Sequence, residues 1–104
     1  MDKLTLAREE ITNIDKQMAQ LFEKRMQAVR EVAQYKKERG LGIEDKKREE
    51  EILVRNAEFI EDSEIREYYT NWHREAIELS KQFQKRLIEG RRVAFSGVKG
   101  AFAC

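Results

Sequence analysis

Apolar residues recur at alternating intervals of three and four positions through the first third of the chain. The residues of this long seam are Leu4, Ala7, Ile11, Ile14, Met18, Leu21, Ala28, Val32 and Tyr35. The spacing is that of heptad a and d positions, and neither Pro nor Gly interrupts it before Gly40. The pattern predicts one long helix, on the order of 50 Å in length, that packs against other helices.

One position of the long seam is charged, because Arg25 stands where the spacing requires an apolar side chain. A buried charge is destabilising unless it is paired, and two interpretations follow. Arg25 sets the helix register or pairs with a glutamate of another helix, or it binds an anion in a cavity of the bundle. Lys36 favours the anion, because it lies about three turns further on and leaves nearly the same face, with Cα atoms roughly 16 Å apart.

Two further helices are predicted after Gly40-Leu41-Gly42, where glycine permits the left-handed conformations that end helices. The second helix begins at Asp45, whose carboxylate caps free backbone N–H groups, and runs to about residues 59–60. The third begins at the Asp62-Ser63 pair, which supplies its cap, and runs to about Glu89.

The third helix carries an apolar seam and a polar flank. We expect it to pack lengthwise on the first helix, with Trp72 in the core, through the seam of Ile65, Tyr69, Trp72, Ala76, Leu79 and Phe83. Ser80 and Gln84 lie one turn apart on the flank, and they matter only if that flank faces the two basic residues of the first helix. His73, on the same flank, has no second candidate ligand and is expected to be structural rather than metal-binding.

Composition narrows the classes of function. The 104 residues form one domain with a modest core, and a helical dimer would supply the walls that a closed site needs. With 21 Lys and Arg against 20 Asp and Glu, no long-range field recruits nucleic acid. The single cysteine, Cys104, has no partner for a disulfide or thiolate cluster. No apolar run suits a membrane span or signal peptide, so a cytoplasmic location is expected by default.

The helical period ends at Gly90. Residues 91–100 predict a short β-strand followed by a glycine-rich turn, and a lone strand has no partner to pair with. We therefore expect a helical domain over residues 1–90 and a non-helical stub over residues 91–104. The stub is expected to begin the next domain of a longer protein and to be frayed or disordered in this fragment.

Several polar motifs stand at compatible spacings along the helices. They are Arg8-Glu9-Glu10-Ile11 followed by Ile14-Asp15, Arg25 within the seam, Lys36, Asp45-x-x-Arg48-Glu49 and Ser80-x-x-x-Gln84. Together they resemble the all-helical chorismate mutases over about residues 4–88. The segment Val93–Phe102 is similar to the opening strand and turn of a prephenate dehydratase domain, so the chain resembles the N-terminal part of the bifunctional enzymes that join both activities.

The resemblance implies an all-α fold in which three helices, long, short and long, form an intertwined homodimer. It implies the rearrangement of chorismate to prephenate in phenylalanine and tyrosine biosynthesis, with no cofactor and no metal. Arg8 and Arg25 are roughly 25 Å apart along one helix and cannot both grip one small substrate within a chain. If both are site residues, Arg8 comes from the partner subunit.

The resemblance also implies roles for the basic residues and the amide. Arg25 and Arg8 of the partner subunit would hold the two carboxylates of chorismate. Lys36 and Gln84 would donate hydrogen bonds to the ether oxygen that breaks, and Lys36 would also touch a carboxylate. A pericyclic step of this kind needs neither a nucleophile nor a base.

The remaining implied roles fall near the second helix. Glu49 would accept a hydrogen bond from the ring hydroxyl, with the backbone of Asp45 helping. Ser80 and Arg48 would support a carboxylate or the surrounding network. Lys81 departs from the family's pattern, because the position beside Ser80 is commonly aliphatic.

Two alternatives stay open. A non-catalytic helical dimerisation module would use the same long seam, with Arg8 an exposed arginine, Asp45 only a cap, and Arg48 and Glu49 on a solvated face. An isochorismate pyruvate lyase would share the fold and similar basic residues, although the dehydratase-like segment argues against it.

Overall fold

The computed structural model describes residues 2–90, which form three helices. They are α1 (Lys3–Arg39), α2 (Lys46–Ala57) and α3 (Ser63–Glu89). The predicted all-α fold with a long, a short and a long helix is confirmed. The strand and turn predicted after Gly90 lie outside the described residues. None of these three helices is long and apolar enough to cross a membrane.

The helix starts follow local capping signals. Asp2 accepts a hydrogen bond from the backbone N of Thr5 at 2.8 Å, and so caps α1. Asp45 caps α2 by accepting from the backbone N of Arg48 at 3.1 Å, and the Asp62 carboxylate caps α3 in the same manner. The caps at Asp45 and Asp62 are among those predicted from the sequence.

A glycine ends α1, and a tightened turn ends α2. α1 ends before Gly40, whose φ of 64° lies in the left-handed region that favours glycine. α2 ends at Ala57, slightly earlier than predicted, because the backbone N–H groups of residues 58–60 each bond to a carbonyl three residues back.

Side-chain pairs fix the directions of the helices. Contacts between α1 and α3 advance together along both helices, whereas contacts between α2 and α3 advance in opposite directions. The pairs are Arg25–Ser80, Lys36–Gln84, Glu49–Lys81 and Glu50–Arg74. α1 and α3 therefore run parallel, and α2 runs antiparallel to both.

The core lies between α3 and the C-terminal half of α1, where α3 buries its polar flank together with Ala76 of the predicted seam. The buried residues of α3 are His73, Ala76, Ile77, Ser80 and Gln84. Ile65 and Trp72 are 52% and 54% exposed, so the prediction of Trp72 in the core is wrong for the single chain, and the predicted packing of α3 on α1 is confirmed only along the C-terminal half of α1. The reason is that α1 contributes no buried or half-buried side chain before Arg25.

The N-terminal half of α1 has no partner within residues 2–90. Its apolar side chains are largely exposed, with Leu4 at 58%, Ile11 at 56% and Leu21 at 62%. None of the large side chains in the described range is fully buried. The radius of gyration is 16.8 Å, whereas about 13 Å is typical of a compact domain of this length. A single chain therefore leaves much of its apolar surface uncovered.

Candidate functional site

Two basic residues of α1 meet two polar residues of α3 across the helix interface. The Arg25 Nη1 donates a hydrogen bond to the Ser80 Oγ. The Lys36 Nζ donates to the Gln84 Oε1 at 3.0 Å and to the Ile43 carbonyl at 2.9 Å. The polar flank of α3 thus faces α1, which is the condition under which Ser80 and Gln84 were expected to matter.

Helix geometry explains why these four side chains converge. Ser80 and Gln84 lie one turn apart on α3, and both are buried, at 5% and 7% exposed. Arg25 and Lys36 lie about three turns apart on α1, so their long side chains lean toward each other across that single turn of α3. Both cations are half-buried.

Neither cation has an acidic partner among residues 2–90. Ser80 takes only part of the five N–H donors that an arginine guanidinium carries, and Lys36 bonds only to neutral oxygens. The interpretation of Arg25 as half of an internal ion pair is therefore wrong within the described chain. Two half-buried positive charges without counter-ions favour an anion as their ligand.

Glu49 on α2 is held from two sides. Its Oε2 accepts from the backbone N of Asp45 at 3.4 Å, and its Oε1 accepts from the Lys81 Nζ at 3.1 Å. The same Lys81 Nζ lies 3.0 Å from Glu44 and 2.9 Å from Glu78. Hydrogen bonds to Glu78 and then to Glu44 hold the pKa of Lys81 well above its ordinary value, so this lysine stays charged.

Two of the predicted site residues lie apart from this group. Arg8 is exposed on the N-terminal half of α1, and Arg48 is exposed in the first turn of α2. Within residues 2–90 neither side chain forms a hydrogen bond or ion pair with Arg25, Lys36 or Gln84. One chain therefore brings together Arg25, Lys36, Ser80 and Gln84, with Glu49 joined to the same stretch of α3 through Lys81.

A separate cleft of about 590 Å³ opens between α2 and α3. It is lined by Glu50, Leu53, Val54, Ala57, Glu58, Arg66, Thr70 and Arg74. None of the candidate site residues lines it, so the cleft and the cluster of cations are different features of the surface.

Sequence reasoning did not assign Lys81 or His73 to the site. The spacing of Glu78 and Lys81 by three residues on one helix signals that ion pair. No local spacing signals Glu44 or Glu49, because they come from the preceding loop and from α2. His73 is 8% exposed, and its Nδ1 is buried with no hydrogen-bond partner in the described chain.

We expect His73 to make the protein less stable on mild acidification. Burial, and then the nearby charge of Arg25, lower the pKa of His73 below its ordinary value of 6.5. As the pH falls through 6.5, the unfolded chain gains a proton that the folded chain does not bind, so the free energy of unfolding falls. The fall continues until the pH reaches the folded pKa, with a slope of at most about 1.4 kcal/mol per pH unit.

Urea unfolding of the wild type and of His73→Phe, at several pH values below neutrality, measures this effect. The stability of the wild type should decline more steeply than that of the variant, since carboxylates contribute equally to both. Equal slopes of the free energy of unfolding against pH would mean that protonation of His73 does not cause the loss of stability.

A protein-family model described as chorismate mutase type II matches residues 7–85, about three quarters of the chain. The matched range contains α2, nearly all of α1 and most of α3. It also contains each of the site residues predicted from the sequence. No curated protein and no solved structure gives a significant match.

Proposed function

The chain belongs to the chorismate mutase type II family, and we propose that it catalyses the rearrangement of chorismate to prephenate. The observation that carries this proposal is the pair of cations on α1, Arg25 and Lys36, which have no acidic partner within residues 2–90 and lie beside Ser80 and Gln84. Chorismate is a dicarboxylate, so two such cations match its charge.

The reaction is unimolecular, which sets what the side chains must do. They hold the flexible enolpyruvyl group over the ring and stabilise the negative charge that develops on the ether oxygen. In the proposal Lys36 and Gln84 donate to that oxygen. The support is their contact at 3.0 Å, since it uses the Gln84 Oε1 and leaves the amide Nε2 as a donor.

Arg25 binds a substrate carboxylate in this proposal, and Ser80 orients it. The Ser80 hydroxyl donates to the Ala76 carbonyl at 2.9 Å, so its oxygen is turned to accept from the Arg25 Nη1. This contact leaves the other edge of the guanidinium for a bidentate pair with a carboxylate.

The ring hydroxyl of chorismate is assigned to Glu49. The backbone N–H of Asp45 supports this role by bonding to Glu49 itself, at 3.4 Å. Arg48 is exposed at the start of α2 and is proposed to support a substrate carboxylate from the rim.

We propose that a second copy of the chain completes the site. The exposed N-terminal half of the long seam needs a partner, and a second identical α1 has the matching apolar face. Arg8 lies on that half of α1, about 25 Å from Arg25 of its own chain. In a twofold dimer Arg8 of the partner subunit would bind the second carboxylate.

We also propose that the chain is the mutase part of a bifunctional enzyme. That enzyme would act in phenylalanine biosynthesis, in the cytoplasm. The support is the similarity of Val93–Phe102 to the opening of a prephenate dehydratase domain. The reading frame of the gene beyond codon 104 tests it. A dehydratase-length extension is expected, and an immediate stop codon would contradict this context while leaving the mutase proposal intact.

The direct test follows the ultraviolet absorbance of chorismate with purified protein and no added cofactor or metal. We expect chorismate to be consumed and the product to be prephenate, identified by its acid conversion to phenylpyruvate. No consumption by a sample shown to be a folded helical dimer would overturn the proposal and favour the dimerisation module. Pyruvate released from isochorismate, with chorismate untouched, would favour the lyase.

A further inference from the structure

The Lys81 ammonium pairs with three carboxylates. Its Nζ contacts one carboxylate oxygen each of Glu44, Glu49 and Glu78, at 3.0, 3.1 and 2.9 Å. A lysine ammonium has three N–H donors, and these three contacts use all of them. Lys81 therefore differs from Arg25 and Lys36, because it has no donor left for a substrate.

The three carboxylates come from three different parts of the chain. Glu44 lies in the loop before α2, Glu49 lies in α2, and Glu78 lies in α3 with Lys81 itself. The Lys81 side chain is 16% exposed and that of Glu49 is 21% exposed, whereas those of Glu44 and Glu78 are more than half exposed. The least screened of the three pairs is thus the one between Lys81 and Glu49.

The pair with Glu49 controls how that carboxylate is presented. Lys81 holds one oxygen and the backbone of Asp45 holds the other, so the carboxylate plane is fixed from two sides. Each oxygen keeps a further lone pair that can accept from a ligand hydroxyl. Without Lys81, Glu49 would retain only the longer contact to Asp45 and would face the like charges of Glu44 and Glu78.

The pair with Glu44 contributes less to this arrangement, because the Glu44 side chain is 55% exposed. Lys81 lies on α3 between Ser80 and Gln84, so its pair with Glu49 is anchored on the helix that carries the neutral partners of Arg25 and Lys36.

We infer that Lys81 is a positioning residue, which aims the Glu49 carboxylate at the substrate's ring hydroxyl without contacting the substrate itself. This inference rests on the proposed function, because it assumes that Glu49 binds that hydroxyl. It differs from a purely structural role, in which Lys81 would only tie α2 to α3. A residue that acts through Glu49 has no effect on catalysis once Glu49 has lost its charge.

A double-mutant cycle tests the inference with kcat/KM for chorismate as the readout. Lys81→Met should lower kcat/KM by about tenfold to a hundredfold, as expected for a misplaced substrate-binding group. The same substitution in a Glu49→Gln background should change kcat/KM by less than about twofold. Glu78→Gln, which removes a carboxylate of Lys81 but keeps the pair with Glu49, is the matched control and should stay near the wild type.

The outcomes separate this inference from the proposed function. A wild-type protein that leaves chorismate unchanged refutes the proposed function. An active wild type in which the losses of Lys81→Met and Glu49→Gln multiply refutes the inference alone, as does Lys81→Met with full activity. Circular dichroism checks each variant for helix content, and Lys81→Gln replaces Lys81→Met in the cycle if the latter does not fold.

Discussion

Lys36→Met should lower kcat/KM for chorismate by about a thousandfold while leaving the three helices folded. The ammonium is a charged donor placed beside Gln84, and removing a donor to a developing negative charge costs about 10²–10³ in rate. Methionine preserves the apolar stem of the side chain, so packing between α1 and α3 is kept. The Ile43 carbonyl and the Gln84 Oε1 each lose a hydrogen-bond donor. Each loss lowers the free energy of unfolding by about 1 kcal/mol.

Lys37→Met is the matched control, because it makes the same chemical change one residue further along α1. Lys37 is exposed, so this variant should keep an activity within about twofold of the wild type. Steady-state kinetics and thermal unfolding of both variants make the comparison. Lys36→Met with near wild-type turnover, in a folded protein, would refute the site assignment.

Local signals predicted the helices well, because each of their ends is decided by nearby residues. Asp2, Asp45 and Asp62 cap backbone N–H groups within three residues of themselves, and Gly40 adopts a backbone conformation that other residues avoid. A short stretch of sequence therefore contains all the residues that decide where a helix begins or ends. The helix boundaries therefore agree with the structure to within a few residues.

Packing faces were harder to predict, because apolar periodicity does not say which neighbour covers a face. Ile65 and Trp72 of the α3 seam are exposed in the single chain, whereas Ser80 and Gln84 of the polar flank are buried. The long seam of α1 is likewise exposed at Leu4, as it is along most of its length. The exposed apolar residues of these two seams form a surface that we expect a partner molecule to cover.

The candidate site was predictable where a residue broke a pattern. Arg25 stood out because it interrupts an apolar seam, and Lys36 followed from its position on the same face. Lys81 gave a weaker signal, since its pairs with Glu44 and Glu49 join elements that are distant in sequence. A cluster of that kind becomes visible only when the directions of α2 and α3 are known.

A mixture of the Arg8→Met and Lys36→Met variants should regain activity if Arg8 is supplied by the partner subunit. Arg8→Met should lose about a hundredfold in kcat/KM, because a charged hydrogen-bonded contact to a carboxylate is lost. In a mixed dimer of Arg8→Met and Lys36→Met, one site lacks both residues and the other site has both. Random mixing of equal amounts makes half of the dimers mixed, so about a quarter of wild-type activity is expected.

Unfolding the two variants together in urea and refolding them allows the chains to exchange, and the chorismate assay then measures the recovered activity. Lys36→Met mixed with Arg25→Met is the matched control, because these two residues line the same site from one chain and no mixed dimer has an intact site. Recovery in the first mixture alone would support a site shared between subunits. No recovery in either mixture, or an Arg8→Met protein as active as the wild type, would mean that Arg8 does not act across the interface. The exposed seam would then still require a partner, but the dimer would no longer be needed to complete the site.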